Sequence, residues 1–507
     1  MILRNGVVRT LDPSLPTSAS LAVAGDRIAG GVGVHETALA SPETVDLGGR
    51  CVLPGFTDSH VHFPTWAVAR REVALDGAAS LDEVLARIGA AVEGLAEGCW
   101  LLGHGWRSGD WTGGREPTKS DLDALTGARP AALIAKDYHS LWLNSAALAL
   151  ADGDLDVEGG VVERDAAGEP TGILREESAW RFKGRYVHIA EDEYVEAMRE
   201  GVRVANARGV TCVHDKDGWL GAAGLWQRLE ERGSLSLRVW QSLPHDRLPE
   251  LRDLALRCGL GSTLLRLGYL KVFMDGTLGS QTAWMLDGSG VRITSGEDLE
   301  QIVRDGATAG WPVGVHAIGD AANRAALDAF ERTREVWQPL GLRQRIEHAQ
   351  CLAPEDVSRF GELGVAASVQ FSHAPSDEHL ARRFWPDRLE GTYSFRSLLE
   401  AGALLANGSD APIEELDPWA GVVAGVVGHW REDQRLTLQD ALSATCVAPA
   451  WLSHDERVRG TLLPGRLADL VVLDRDPFGC EPGELSEVRV VATMVSGRWV
   501  FNPPPWD

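Results

Sequence analysis

From about residue 200 to about residue 460 the chain repeats one pattern: a short apolar run, then a stretch of helical periodicity. The runs fall at 209–215, 235–243, 267–276, 311–316, 344–348, 365–370 and 403–410, with helix-like text between them, as in 320–336 and 355–363. Runs of this length bounded by turn residues read as buried strands. Adding the run that ends in Gly55-Phe56-Thr57-Asp58-Ser59-His60-Val61-His62-Phe63 gives eight. Alternation on this scale favours an α/β fold of the (β/α)8, TIM-barrel type over an open doubly wound sheet, and places the chemistry at the C-terminal strand ends.

The remaining sequence divides around that barrel. Residues 1–52 and 461–507 both read as short strands and turns, each too small to bury a core alone. They are expected to form one β-sandwich from both chain termini. The first barrel strand is placed at 53–63 and the rest of the barrel at 200–460. The block between, 64–199, is far longer than a βα connection of about 2–6 residues. It carries a helix-like stretch at 81–95, strands near 100–103 and 131–135, and a hairpin turned at Ala167-Gly168. Leaving the top of the first strand, it is expected to act as a lid or substrate-shaping subdomain.

Polar residues end the apolar runs. His60 and His62 end the first; period-two alternation puts both imidazoles on one side. Lys271 lies in the fourth run, His316 ends the fifth, His348 the sixth and Asp410 the eighth. Imidazole is the commonest metal ligand, so this set predicts a divalent-metal site, one or two ions, with zinc as the first expectation. Such donors also take iron, manganese or nickel. A carboxylate beside a cation stays ionised, which suits Asp410 to proton transfer. Strand-end position adds His214 at the end of the second run and Gln370 and His373 at the end of the seventh. Asp137 and His139 read equally as substrate-orienting residues or as supports of the lid, and Trp106, Trp111 and Trp142 as an aromatic wall or as core. Asp320 reads equally as a helix cap; His104 and Glu176 carry no assigned role.

Several separated motifs, Phe56-Thr57-Asp58-Ser59-His60-Val61-His62, Ile346-Glu347-His348, Gly408-Ser409-Asp410-Ala411-Pro412 and Gly465-Arg466-Leu467-Ala468-Asp469-Leu470, resemble the metal-dependent amidohydrolase superfamily. The stretches from Asp137 to Leu148, from Lys271 to Ser280 and from His316 to Asp320 resemble its amidohydrolase-3 branch, which includes YtcJ-like proteins and N-substituted formamide deformylases. The resemblance implies that His60 and His62 bind one metal, His316 and His348 a second, and Asp410 the first. It also implies that Lys271, carboxylated by carbon dioxide, bridges them; the alternative for Lys271 is an ion pair with Asp275. The implied reaction is hydrolysis of a C–N bond in an amide, formamide or cyclic amide, with Asp410 as general base and then general acid. An ester or lactone hydrolase with the same site, and a non-catalytic metal-binding protein on the same scaffold, are the alternatives.

Composition narrows the partners. The net charge of −24 argues against nucleic acid and anionic membrane surfaces. Seven scattered cysteines without a CxxC pair read as reduced thiols in a cytoplasmic protein. No secretory signal or long apolar span is read in the sequence. The expected partner is a small-molecule substrate, with a homodimer open.

Overall fold

A computed structural model of the chain describes residues 1–33, 41, 43–95, 98–151 and 155–506. Its centre is a sheet of eight strands: β1 (Phe56–Val61), β2 (Val210–Asp215), β3 (Arg238–Pro244), β4 (Leu265–Phe273), β5 (Val313–Ala317), β6 (Arg345–His348), β7 (Ala366–Val369) and β8 (Leu405–Asn407). Every adjacent pair is parallel. Closure falls just past β8, where Asp410 N donates to His60 O at 2.7 Å and His62 N to Ala411 O at 2.9 Å. The sheet is therefore the expected (β/α)8 barrel. Its strands are continuous apolar runs because both faces are covered, by packed interior side chains and by the helix ring. Trp311, Phe330 and Phe360 belong to that buried layer.

Both termini build the sheets beside the barrel. One has four strands, ordered Arg27–Gly30, Leu21–Ala24, Ile2–Arg4 and Thr44–Asp46. The other has six, ordered Arg498–Phe501, Val490–Val495, Leu470–Leu473, Cys51–Pro54, Val7–Arg9 and Thr17–Ser18. Leu3, Val8, Val45, Leu470 and Met494 meet in one core between them, so each end supplies the apolar face the other lacks. Cys51–Pro54 pairs antiparallel with Leu470–Leu473 in the terminal sheet, and the barrel strand starts only at Phe56. The unbroken apolar run from Cys51 to Phe56 hides that change of sheet. Gly55 makes it, where an added Cβ would lie 2.2 Å from Thr211 Cγ2.

The block after β1 folds around its own mixed sheet of six strands, ordered Gly160–Arg164, Pro170–Glu176, Ser140–Leu143, Ala131–Ala135, Leu101–Trp106 and Val73–Ala74. Helix Leu81–Gly94 begins at Ser80, whose hydroxyl accepts from Glu83 N at 3.2 Å, a side-chain cap of the kind expected there. Trp106, Trp111 and Trp142 pack together in this subdomain. No helix among the described residues is long and apolar enough to cross a membrane.

Candidate metal centre and active-site pocket

The C-terminal strand ends bring the predicted donors together. The rings of His60 and His348 lie 4.7 Å apart, and those of His316 and His348 4.5 Å apart. His60 Nε2 faces Asp410 Oδ1 at 3.1 Å, and His62 Nε2 faces the same oxygen at 3.6 Å. On its other side, Asp410 Oδ2 lies 3.8 Å from His348 Nδ1 and 3.9 Å from His373 Nε2. His348 and Asp410 both take left-handed backbone, at φ 75° and 58°. Such strain in non-glycine residues concentrates at functional sites, where surrounding structure holds it.

Each imidazole is aimed by a partner. His60 Nδ1 donates to Glu347 Oε2 at 2.8 Å, His62 Nδ1 to Asp217 Oδ1 at 2.7 Å and His348 Nδ1 to Gln370 Oε1 at 2.9 Å. His316 Nε2 donates to Gly276 O at 3.2 Å. An acceptor on one nitrogen fixes the proton there and leaves a lone pair on the other, the arrangement that metal-binding histidines need. Burial pushes His60 down to about 4, and His316 and His348 well below the ordinary imidazole value, so all three are neutral at pH 7. Burial alone would raise the Asp410 carboxyl; positive charge on the surrounding imidazoles, or on a cation beside them, holds it well below the usual carboxylate range.

These protonation states test the fit to a cation. His60 Nε2 and Asp410 Oδ1 are both buried acceptors, 3.1 Å apart, and neither has a hydrogen-bond partner. Two lone pairs at that distance repel unless a positive centre sits beside them. His60, His62 and Asp410 form one cluster able to hold an ion, and His348, His373 and Asp410 form another. The donor set therefore fits a divalent metal. Lys271 Nζ is also buried without a partner, and burial pushes it down to about 8. Asp275, the alternative partner proposed for Lys271, instead accepts backbone N–H groups from Trp284, Ile318 and Gly319 at 2.8–3.0 Å.

Around the donors lies a cavity of about 220 Å³. His62, His316, His348, His373 and Asp410 form its floor, and the inserted subdomain supplies Arg107, Asp137, His139 and Trp180 to its wall. His139 Nδ1 donates to the buried Glu176 Oε2 at 2.6 Å. Asp137 Oδ2 accepts from Thr277 Oγ1 at 3.0 Å and Ser280 Oγ at 2.5 Å. Five other predicted pocket residues sit elsewhere, and of these Trp111 and Trp142 pack with Trp106 in the core of the insertion. Trp106 donates its indole N–H to Leu133 O at 2.8 Å inside the insertion and borders only a smaller neighbouring recess. His214 is enclosed in the barrel, its Nδ1 accepting from Arg345 Nη1 at 3.1 Å. Gln370 does not line the cavity; it orients His348 from behind.

The sequence reading also missed the supports. Glu347 is fully buried; it accepts from His60 Nδ1 at 2.8 Å, from Lys216 Nζ at 2.9 Å and from Arg345 Nη2 at 3.0 Å, and Arg345 Nε lies 2.7 Å away as an ion-pair contact. Asp58 takes Ser409 N at 3.0 Å and Ser409 Oγ at 2.5 Å, tying the end of β1 to the turn that carries Asp410. A carboxylate three residues or fewer from a candidate ligand was the only available signal, and it does not separate support from ligation.

A barrel with clustered imidazoles and a carboxylate at its C-terminal mouth defines the metal-dependent hydrolase class. Residues 43–501 match the amidohydrolase family, and the chain belongs to it. Protein LONG AFTER FAR-RED 3 of Arabidopsis thaliana is 32% identical, with 99% of this chain and 91% of that protein covered. The N-substituted formamide deformylase of Arthrobacter pascens is 29% identical over 98% of this chain and 97% of its own. An uncharacterized metal-dependent hydrolase from Pyrococcus horikoshii OT3, solved by crystallography, superposes with a TM-score of 0.77 at 28% identity, covering 95% and 99% of the two chains.

Proposed function

We propose that this chain hydrolyses a C–N bond of a small amide, formamide or cyclic amide, with Asp410 moving the proton. The observation that carries the reading is the Asp410 carboxylate, ionised and set between paired lone-pair donors at the floor of the cavity. His60, His62, His316, His348 and Asp410 would hold a divalent cation, zinc first, which would supply Lewis acidity and lower the pKa of water to about 7. Asp410 accepts a proton on a carboxylate oxygen and returns it to the departing nitrogen. The wall formed by Trp180, Phe273 and Leu278 gives the substrate an apolar bed and excludes water. Lys271, an unpartnered buried amine, suits carboxylation by carbon dioxide, which would make it an anionic oxygen donor. The formamide chemistry of the Arthrobacter relative supports the choice of C–N bonds.

The test is a metal assay followed by zinc-loaded turnover on formamides, amides, lactams and esters of small size. Turnover of at least one C–N substrate, lost by about 10²–10⁴-fold in Asp410→Asn, is expected. Turnover confined to esters and lactones, or bound metal with no turnover on the whole panel, refutes the proposal.

A further inference from the structure

We propose that His373 is a hydrogen-bond donor to the substrate carbonyl oxygen and not a metal ligand. The proposal rests on the C–N hydrolase reading above for its substrate, but its structural core is independent of it. His373 opens the helix His373–Phe384 after β7, lines the cavity and is 5% exposed at its side chain. Its Nε2 is buried without a partner and points towards Asp410 Oδ2 across 3.9 Å. By distance alone, His348, His373 and Asp410 make a cluster able to hold an ion.

The proton on His373 argues for another role. His60, His62, His139, His316 and His348 each give one N–H to an acceptor: Glu347, Asp217, Glu176, Gly276 O or Gln370 Oε1. In His60, His316 and His348, which burial keeps neutral, the second nitrogen is thereby a lone pair. For His62 and His139 burial is outweighed by the carboxylates of Asp217 and Glu176, which raise the pKa. His373 is set the other way. Gln350 presents its amide nitrogen to His373 Nδ1 at 3.1 Å. In that orientation Gln350 donates, so Nδ1 is the acceptor and the ring proton sits on Nε2; the same orientation leaves Gln350 Oε1 buried without a partner. An Nε2–H cannot bind a cation, but it can donate into the cavity. A donor aimed at the place where negative charge builds on a carbonyl oxygen is worth about 10²–10³ in kcat. The gap of 3.9 Å to Asp410 is too long for a direct hydrogen bond and leaves the N–H free for an incoming oxygen. No proton leaves His373 in this role; it donates a hydrogen bond throughout.

Three measurements on the full chain decide it. In His373→Ala, zinc per chain is expected to stay at the wild-type value while kcat on a formamide falls about 10²-fold. His373→Asn, which restores an N–H donor, is expected to recover part of that loss. Gln350→Glu places a carboxylate on Nδ1, moves the ring proton there and turns Nε2 into a lone pair. It is expected to match the kcat loss of His373→Ala while retaining zinc. Histidine ¹⁵N spectra, assigned by difference against His373→Asn, are expected to show the His373 proton on Nε2 in both zinc-free and zinc-loaded protein. A fall in zinc content with His373→Ala, or a ¹⁵N signature of protonated Nδ1 with bare Nε2, overturns the proposal even if no C–N substrate is found. Absence of turnover with the predicted ¹⁵N signature and retained zinc instead counts against the hydrolase reading alone.

Discussion

Glu347 holds more of the site than any donor does, and Glu347→Gln measures how much. In the wild type its carboxylate sits between two cations and one imidazole: Arg345 Nε at 2.7 Å, Lys216 Nζ at 2.9 Å and His60 Nδ1 at 2.8 Å. All are fully or almost fully buried. A neutral amide of the same size removes the one acid that, among the described residues, the pair of cations shares. Burial already holds Lys216 well below the ordinary lysine value, so Lys216 can shed its proton. Arg345 cannot. One buried guanidinium is then left without its partner, at a cost at the low end of about 3–5 kcal/mol. Unfolding entropy of about 2.1 cal/mol/K per residue over 507 residues amounts to about 1.1 kcal/mol/K. A loss of about 3 kcal/mol therefore lowers the melting midpoint of the metal-free protein by about 3 °C. The second effect is on the metal. His60 loses the carboxylate that fixes its tautomer, and a lost support of this kind weakens metal binding about 10–100-fold. Differential scanning calorimetry of metal-free protein and zinc titration by competition read the two effects separately. A variant with an unchanged midpoint and zinc affinity within twofold of wild type would show that the buried acid neither balances Arg345 nor aims His60.

Three further outcomes follow from the geometry. Gly408→Ala puts a Cβ 2.4 Å from His60 N and 2.8 Å from His60 Cα. Because backbone must yield there, it is expected to cost about 1–3 kcal/mol and to weaken zinc binding; wild-type affinity refutes the contact. Lys271→Ala is expected to lower the metal bound per chain, and a metal content unchanged from wild type rules out a role for Lys271 in holding it. His429 donates from Nε2 to Tyr393 O at 2.8 Å and accepts Arg431 N at 3.0 Å, and burial lowers its pKa. A depressed imidazole contributes stability above the unfolded value of about 6.5 that is lost as pH falls. The melting gap between wild type and His429→Gln, worth about 1–2 kcal/mol at pH 8, should therefore narrow at pH 5.5; a gap that stays constant or widens contradicts the neutral assignment.

The strand ends were legible because barrel strands are apolar runs and a polar residue at their tips stands out. His60, His62, His316, His348 and Asp410 carry that signal. Their supports do not. Glu347 precedes His348 by one residue, so alternation aims it to the opposite side of its strand end, and nothing local shows that it meets Lys216 and His60. Asp217, which aims His62, is separated from it by the whole insertion. Trp106 misled because an aromatic beside His104 and Arg107 fits a pocket wall as well as a core. Its sheet partners decide the matter, through Leu133 and Trp142. Gln370 follows the seventh strand, but its direction, towards the back of His348, depends on side-chain packing that the pattern does not encode.

The insertion is tied to the barrel by buried and half-buried carboxylates, and that bears on how substrates are chosen. Asp137 grips Thr277 and Ser280, and Glu176 accepts from Thr282, all in the loop after β4. The glycines of that loop admit the contact: a Cβ at Gly276 would lie 2.6 Å from Glu176 Oε1, and one at Gly279 would lie 2.8 Å from Asp137 Oδ2. Arg107 reaches Asp377 at 3.1 Å on the helix after β7, and the hydroxyl of Tyr393 holds the same carboxylate at 2.8 Å. Buried acids shared across a seam are costly to separate, because each group left behind loses its partner without gaining water. The subdomain is thus docked at two places on opposite sides of the cavity, and its wall is set before a substrate arrives. Selection among substrates then falls to the wall side chains themselves, Trp180, Phe273, Leu278 and Ile413.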